Sequence, residues 1–444
     1  MISPFLNSSL KKSRPNNLGW RQITLDGSED YEGETPTTVG TSLINIIHIS
    51  DTHICDAQSP ARVEYLDRYA DPHHPISADL ASLVGTYRAQ ESLTTQVLES
   101  AIQAINRIEI APITKRKIDT VLITGDVTDN AQQNELAWFT ALLNGGKVRP
   151  DSGARDKWEG AGSHLFYSPF FWNPDGTPKG EREDFPRSIY GFPVIPELLD
   201  AVRHPFYASG LNSHWLAVHG NHDALLQGTV APDDLLRSAV VANKKIFELT
   251  DAIALAALSQ VSEVGPAKYP EPTVGEVRSV SADNSRDFVN PDTWNRNFYR
   301  DDEDNGIDHE LLGSQRKYWR KDFERVSIIA LDTVNPWGGW QGSIDHEQFI
   351  WLSGQLELSR DRYVLVTSHH PLQDLFNDYS PQQPRVLRKE IENLLVKFPQ
   401  VILWVCGHTH QNRITYFGPD NMHGFWQIET SSLIDWPQQG RIIE

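Results

Sequence analysis

The chain of 444 residues has only two cysteines, Cys55 and Cys406. A disulfide framework is thereby excluded. No apolar run approaches the ~18 residues of a membrane span. The first twenty residues, MISPFLNSSLKKSRPNNLGW, lack the apolar centre of a secretory leader. A cytoplasmic location away from membranes is therefore expected. Positive charge is also scarce. Lys and Arg number 40 against 59 Asp and Glu, a formal charge of -19. Such a surface, with no basic stripe, repels nucleic-acid backbones, so a nucleic-acid partner is disfavoured. A small anionic ligand is not excluded, because bound cations reverse the field locally. Internal repeats and low-complexity tracts are absent.

What is present belongs to a folded protein. Hydrophobic residues make up 39% and aromatics 10%, with 13 Trp. The length allows one large domain with insertions, or two domains. Residues 1–42 read as a polar lead segment, with Trp20 and Ile23 as its ordering residues. Short Ile- and Val-rich runs follow: Leu43 to Ile49, Ile118 to Ile123, Trp215 to Val218, Val326 to Leu331, Tyr363 to Val366 and Val401 to Val405. They read as buried strands. Helical spacing marks Ala78 to Ile108, Asn134 to Leu143, Asp233 to Leu258, Asp345 to Leu358 and Pro384 to Val396. Strands alternating with helices indicate an α/β fold over residues 43–444. Two insertions interrupt it, at about 145–212 and 224–320. The first carries many prolines, together with Trp158, Phe166, Tyr167, Phe170, Phe171 and Trp172. Those aromatics argue for ordered structure, and long ordered loops often serve as lids. This insertion is expected to be either a reader of the ligand or a surface elaboration. The chain stops at Arg441-Ile442-Ile443-Glu444, in what looks like mid-strand, so a truncated C-terminus is expected.

Five apolar runs end in metal-ligand side chains. The motifs are Asp51-Thr52-His53, Gly125-Asp126-Val127-Thr128-Asp129, Gly220-Asn221-His222-Asp223, His369-His370-Pro371 and Gly407-His408-Thr409-His410. Each alone is weak; five at successive strand ends form a constellation, because α/β sheets present their carboxyl ends to ligands. Asp and His are ordinary ligands of Zn, Mn and Fe ions. Residues two apart on a strand share a face, so Asp51 and His53 can grip one ion together.

In this order and spacing the motifs resemble the calcineurin-like metallophosphoesterase superfamily. The resemblance implies a four-layer αββα sandwich of the metallo-dependent phosphatase type, with large insertions. It implies two divalent or trivalent metal ions (Mn, Fe or Zn). Asp51, His53 and His410 would hold one, Asn221, His369 and His408 the other, and Asp126 would bridge them. His369 is preferred to His370 because the family ligand lies two positions before the proline. It also implies hydrolysis of a small phosphate ester, a diester in preference to a monoester, by in-line attack of a hydroxide held between the ions. His222 would act as general acid, with Asp223 holding its ring. Asp129 stands where the purple acid phosphatase branch has a tyrosine ligand, so no tyrosinate colour is expected. The branch resembled is the Gly-Asp-x-x-Asp group, which includes cyclic-nucleotide and glycerophosphodiester phosphodiesterases. Asp332-Thr333-Val334-Asn335-Pro336 and His53-Ile54-Cys55-Asp56 also resemble a bacterial metallophosphoesterase group with no assigned substrate. Two other readings remain open: a nuclease of the same family, which the acidic charge disfavours, and a metal-binding scaffold without catalysis, which an intact His222 disfavours.

Arg62 and Arg68 follow the first motif and are candidates to reach a substrate phosphate. The two cysteines flank ligand candidates and read as buried free thiols.

Overall fold

The six apolar runs become strands of two sheets in the computed structural model, which describes residues 9–12, 14, 23–26, 40–71, 74, 85–260, 264–271, 274–298, 311–419 and 423–444. The strands of these sheets are β1 (Ile46–Ile49), β2 (Thr120–Ile123), β3 (Trp215–Ala217), β4 (Trp319–Asp322), β5 (Val326–Ala330), β6 (Tyr363–Thr367), β7 (Val401–Cys406), β8 (Arg413–Phe417), β9 (Phe425–Glu429) and β10 (Arg441–Ile443). The smaller sheet runs β10-β1-β2-β3 and the larger β4-β5-β6-β7-β9-β8. In the smaller sheet β1 to β3 are parallel, and β10 pairs antiparallel with β1, placing Arg441 opposite His48. In the larger sheet β5, β6, β7 and β9 are parallel, with antiparallel β4 and β8 at the edges.

The residues explain the arrangement. Parallel strands are covered on both faces, so they read as continuous apolar runs. All of β1, β2 and β5 is buried. One hydrophobic cluster holds Ile46, Val121 and Trp215 of the smaller sheet with Ile328, Leu365 and Val405 of the larger. It also takes in Leu98 and Ile102 of helix α1 (Thr94–Ile105) and Leu136 and Phe139 of α2 (Gln133–Asn144). A second cluster joins Val364, Val366 and Trp404 of the larger sheet to Leu352 and Leu356 of α3 (His346–Leu358) and Ile391 of α4 (Arg388–Leu395). Each fully buried aliphatic side chain here contributes roughly 1.5–3 kcal/mol. Asp345 starts α3 by accepting a hydrogen bond from the Gln348 amide at 2.7 Å.

Several expectations change. The helix expected over Ala78 to Ile108 is Thr94–Ile105; a 3-10 turn at Glu91–Leu93 precedes it, and residues 78–84 lie outside the described residues. So does Trp20 of the lead segment. The single helix expected over Asp233 to Leu258 is two helices, Asp234–Val240 and Asp251–Ser259, with a strand, Lys244–Glu248, between them. Tertiary contacts override propensity there: Lys245 points inward to Glu64 and to the Ser59 carbonyl, both at 2.7 Å, and its strand pairs with Glu276–Ser279. The short strands β4, β8 and β9 are additions to the expected set, while β10 is the strand expected at Arg441-Ile442-Ile443. No helix of the described residues is long and apolar enough to cross a membrane.

Candidate metal centre

Every ligand candidate sits just beyond a strand. Asp51 and His53 follow β1, Asp126 follows β2, Asn221 follows β3, His369 follows β6, and His408 and His410 follow β7. The chain turns sharply at these points. Asp51, His53, Asp126, His408 and His410 all have left-handed backbones, with φ of 53°, 41°, 49°, 71° and 54°. Gly125 also needs φ of 86°, and a Cβ there would lie 2.8 Å from the His369 ring. Gly220 is needed for a close approach, because a Cβ would run into Asp126.

The side chains converge. Asp51 Oδ1 lies 3.2 Å from His410 Nε2 and 3.9 Å from His53 Nε2. Asp126 Oδ2 lies 3.1 Å from His369 Nε2 and 3.9 Å from His53 Nε2, so it stands between two groups of donors. Outer partners fix the tautomers. His53 Nδ1 faces Asp129 Oδ1 at 3.0 Å, His410 Nδ1 faces Asp435 Oδ2 at 2.9 Å, and His369 Nδ1 donates to the Thr124 carbonyl at 2.7 Å. Those partners are acceptors, so they engage Nδ1 and leave each Nε2 facing the centre. Yet His53 Nε2 and His410 Nε2 are only 3.2 Å apart, as are His369 Nε2 and His408 Nδ1. Nitrogens held this close need a proton or a cation between them. Asn221 adds a further donor: its amide nitrogen is tied to the Gly228 carbonyl at 3.1 Å, while its buried Oδ1 has no hydrogen-bond partner. Asp51 Oδ1 is likewise buried without one. Burial raises the Asp126 carboxyl, but His369 and His222 outweigh it and hold the group well below the usual carboxylate range. Burial depresses His369 and His410, but facing carboxylates overcome it and push both up to about 9. The cradle therefore favours positive charge, and its N/O donor set fits divalent metal ions.

Other expectations resolve as follows. His370 lies beside His369 and His408, but both its ring nitrogens are engaged, by Thr333 Oγ1 at 2.8 Å and the Trp340 carbonyl at 3.0 Å. His222 lines the cleft, and its Nδ1 donates to the Asp129 carbonyl at 2.8 Å. Asp223 does not hold that ring. Its carboxylate accepts instead from the Thr128 amide and hydroxyl and from the Gly220 amide, at 2.9, 3.0 and 2.8 Å, which ties two ligand loops together. Arg62 is fully buried between Asp129, Glu91 and the Thr86 carbonyl, so it reaches no substrate. Arg68 is spent on Glu248 at 2.6 Å. Both cysteines are buried and free. Sequence reasoning missed Arg88, which joins the outer partners by bonding Asp129 at 3.1 Å and Asp435 at 2.9 Å. It also missed Trp340, whose ring lies 5.8 Å from that of His408 and nearly parallel to it.

Beside the centre opens a cleft of about 1020 Å³. Its lining comes from the ligand loops, Val63, Leu66, residues 85–88 and the second insertion, with Trp340, Asp374 and Asp435. None of residues 145–212 lines it, against expectation. The aromatics of that insertion pack on one another and on the neighbouring loop instead, as in the pairs Phe170 with Phe185, Trp172 with Phe192, and Phe171 with Tyr87.

Comparison with known proteins gives three findings. The family model described as calcineurin-like phosphoesterase matches residues 190–412, about half of the chain. A probable glycerophosphodiester phosphodiesterase, GpdQ, of Arcobacter nitrofigilis is 32% identical over 87 residues, which is 19% of this chain and 32% of that relative. The match thus spans about a third of the relative's length. Among solved structures, a dimetal phosphatase from Danio rerio aligns over 89% of each chain with a TM-score of 0.36 and 13% identity. A purple acid phosphatase from yellow lupin seeds aligns over 88% of this chain and 44% of its own, with a TM-score of 0.31 and 10% identity.

Proposed function

This chain belongs to the calcineurin-like phosphoesterase family, and from that premise we propose that it is a two-metal phosphoesterase that prefers diesters. The observation that carries the reading is the pair of inward-facing nitrogen couples on either side of Asp126. Asp51, His53 and His410 would hold one ion and Asn221, His369 and His408 the other, with Asp126 placed between the two sets. When bound, the ions supply an activated water and a clamp on the phosphate oxygens.

The chain's own groups do the rest. His222 has Nδ1 engaged, so Nε2 is the nitrogen left to protonate the departing oxygen. Its main-chain amide donates to Asp126 Oδ1 at 2.9 Å, which locks the acid to the bridging carboxylate. The Gly228 carbonyl orients the Asn221 amide so that its oxygen faces inward. Diester preference follows from charge. Arg62 and Arg88 are committed to carboxylates, which favours a monoanion over a dianion. The name of the Arcobacter relative, a probable glycerophosphodiester phosphodiesterase, agrees with that preference. The αββα sandwich is our reading of the two sheets, supported by the core residues they share and by helices on either side.

The test is a panel of bis-p-nitrophenyl phosphate and p-nitrophenyl phosphate with Mn²⁺-, Fe- or Zn-loaded protein. Turnover, faster on the diester, is expected. Bound metal with no turnover of either ester would leave the scaffold reading in its place.

A further inference from the structure

We infer that the organic group of the ester is apolar, an alkyl or aryl chain seated against the second insertion; this rests on the phosphoesterase reading above. The cleft has two chemically distinct parts. One is the metal centre. The other is the open face of a third hydrophobic cluster, which includes Leu66, Leu226, Leu258 and Tyr269. Val230 packs against this cluster, and Val230, Ala257 and Pro270 are all half-buried and line the cleft. Trp340 closes the side next to His408.

The volume, about 1020 Å³, matches the upper end of small-molecule pockets, so it holds far more than a phosphate. The polar groups argue against a charged organic part. Arg88 is committed to Asp129 and Asp435. Among the described residues of the lining, Lys268 is the cation with no carboxylate partner, and it is exposed at the rim. Asp374 adds negative charge, while Asp435 is taken up by Arg88 and His410. A ligand with further phosphates would meet one free cation and one free carboxylate. An apolar group would instead displace water from an apolar wall.

The experiment uses p-nitrophenyl n-alkyl phosphates, from methyl to hexyl, on the Mn²⁺-loaded protein, so that the leaving group is constant. In parallel, calorimetry measures binding of n-alkylphosphonates of the same lengths, which cannot be hydrolysed. The expected kcat/KM and the expected phosphonate affinity both rise about three- to fourfold per methylene. Val230→Asn and Ala257→Asn, on separate segments and each checked by thermal melt, should flatten both series. Hydrolysis with no length dependence in either series overturns the inference and leaves the phosphoesterase reading intact. Length-dependent phosphonate binding with no hydrolysis of any ester does the reverse. Slopes unchanged in both folded variants would remove this wall as the reader.

Discussion

The two halves of the metal cradle are built differently. In the half formed by Asp51, His53 and His410, both imidazoles are backed by carboxylates, Asp129 and Asp435, which Arg88 joins. In the half formed by Asn221, His369 and His408, backbone carbonyls of Gly228 and Thr124 orient the amide and one ring, and Trp340 stacks on the other. A carboxylate behind an imidazole raises its basicity more than a carbonyl does. The first half should therefore hold its cation more tightly, and the second should release and retake it more readily, on the side where the stacking ring borders the cleft.

The change with the largest expected effect removes the group common to both halves. Asp126→Asn should strip both cations and lower kcat/KM by more than the ~100-fold that an outer partner costs, as read by metal analysis beside bis-p-nitrophenyl phosphate turnover. Loss from one half alone would break the symmetry of its assigned role. Next in size is His222→Ala, which belongs to neither half. Metal content should stay at the parent value while kcat falls ~10²- to 10⁴-fold, least for nitrophenolate leaving groups. Metal loss in this variant would sink the general-acid assignment. Asp435→Asn sharpens the comparison most directly. Calorimetric titration should show ~10–100-fold weaker binding in the first half with the second unchanged; equal weakening of both would mean that the halves are not independent. Smallest is Trp340→Ala, which removes a stacking contact of about 0.5–1.5 kcal/mol. It should speed chelator release from the second half by about 2- to 12-fold and leave the first alone.

The parts of the molecule legible in sequence were those with a strong local signal. Continuous Ile and Val runs marked β1, β2, β3, β5, β6 and β7, because parallel strands have no polar face. The ligand candidates were visible because each follows such a run directly. The outer partners carried no such mark. Asp435 meets Arg88 across 347 positions and stands in an irregular loop. Asp129 was visible as a motif residue, but its contacts with His53 and with Arg62 are set by tertiary structure. Asp223 misled for the converse reason: adjacency to His222 in sequence suggested a shared task, while the turn at Asn221–Asp223 sends its carboxylate to Thr128 and Gly220. The first insertion shows the limit of composition. Its aromatics announced order, but a ring packs equally well on another ring, and that is where these went.

The left-handed residues at the strand ends have a consequence for redesign. Asn, Asp and His are the non-glycine residues that best tolerate positive φ, and they are also good donors to first-row metals. At positions 51, 53, 126, 408 and 410 the two requirements coincide. The ligand alphabet open to an engineer is therefore narrowed by the main chain before any metal is chosen. Exchanges within Asn, Asp and His are the ones this backbone can host, and a β-branched residue would be rejected there by conformation alone.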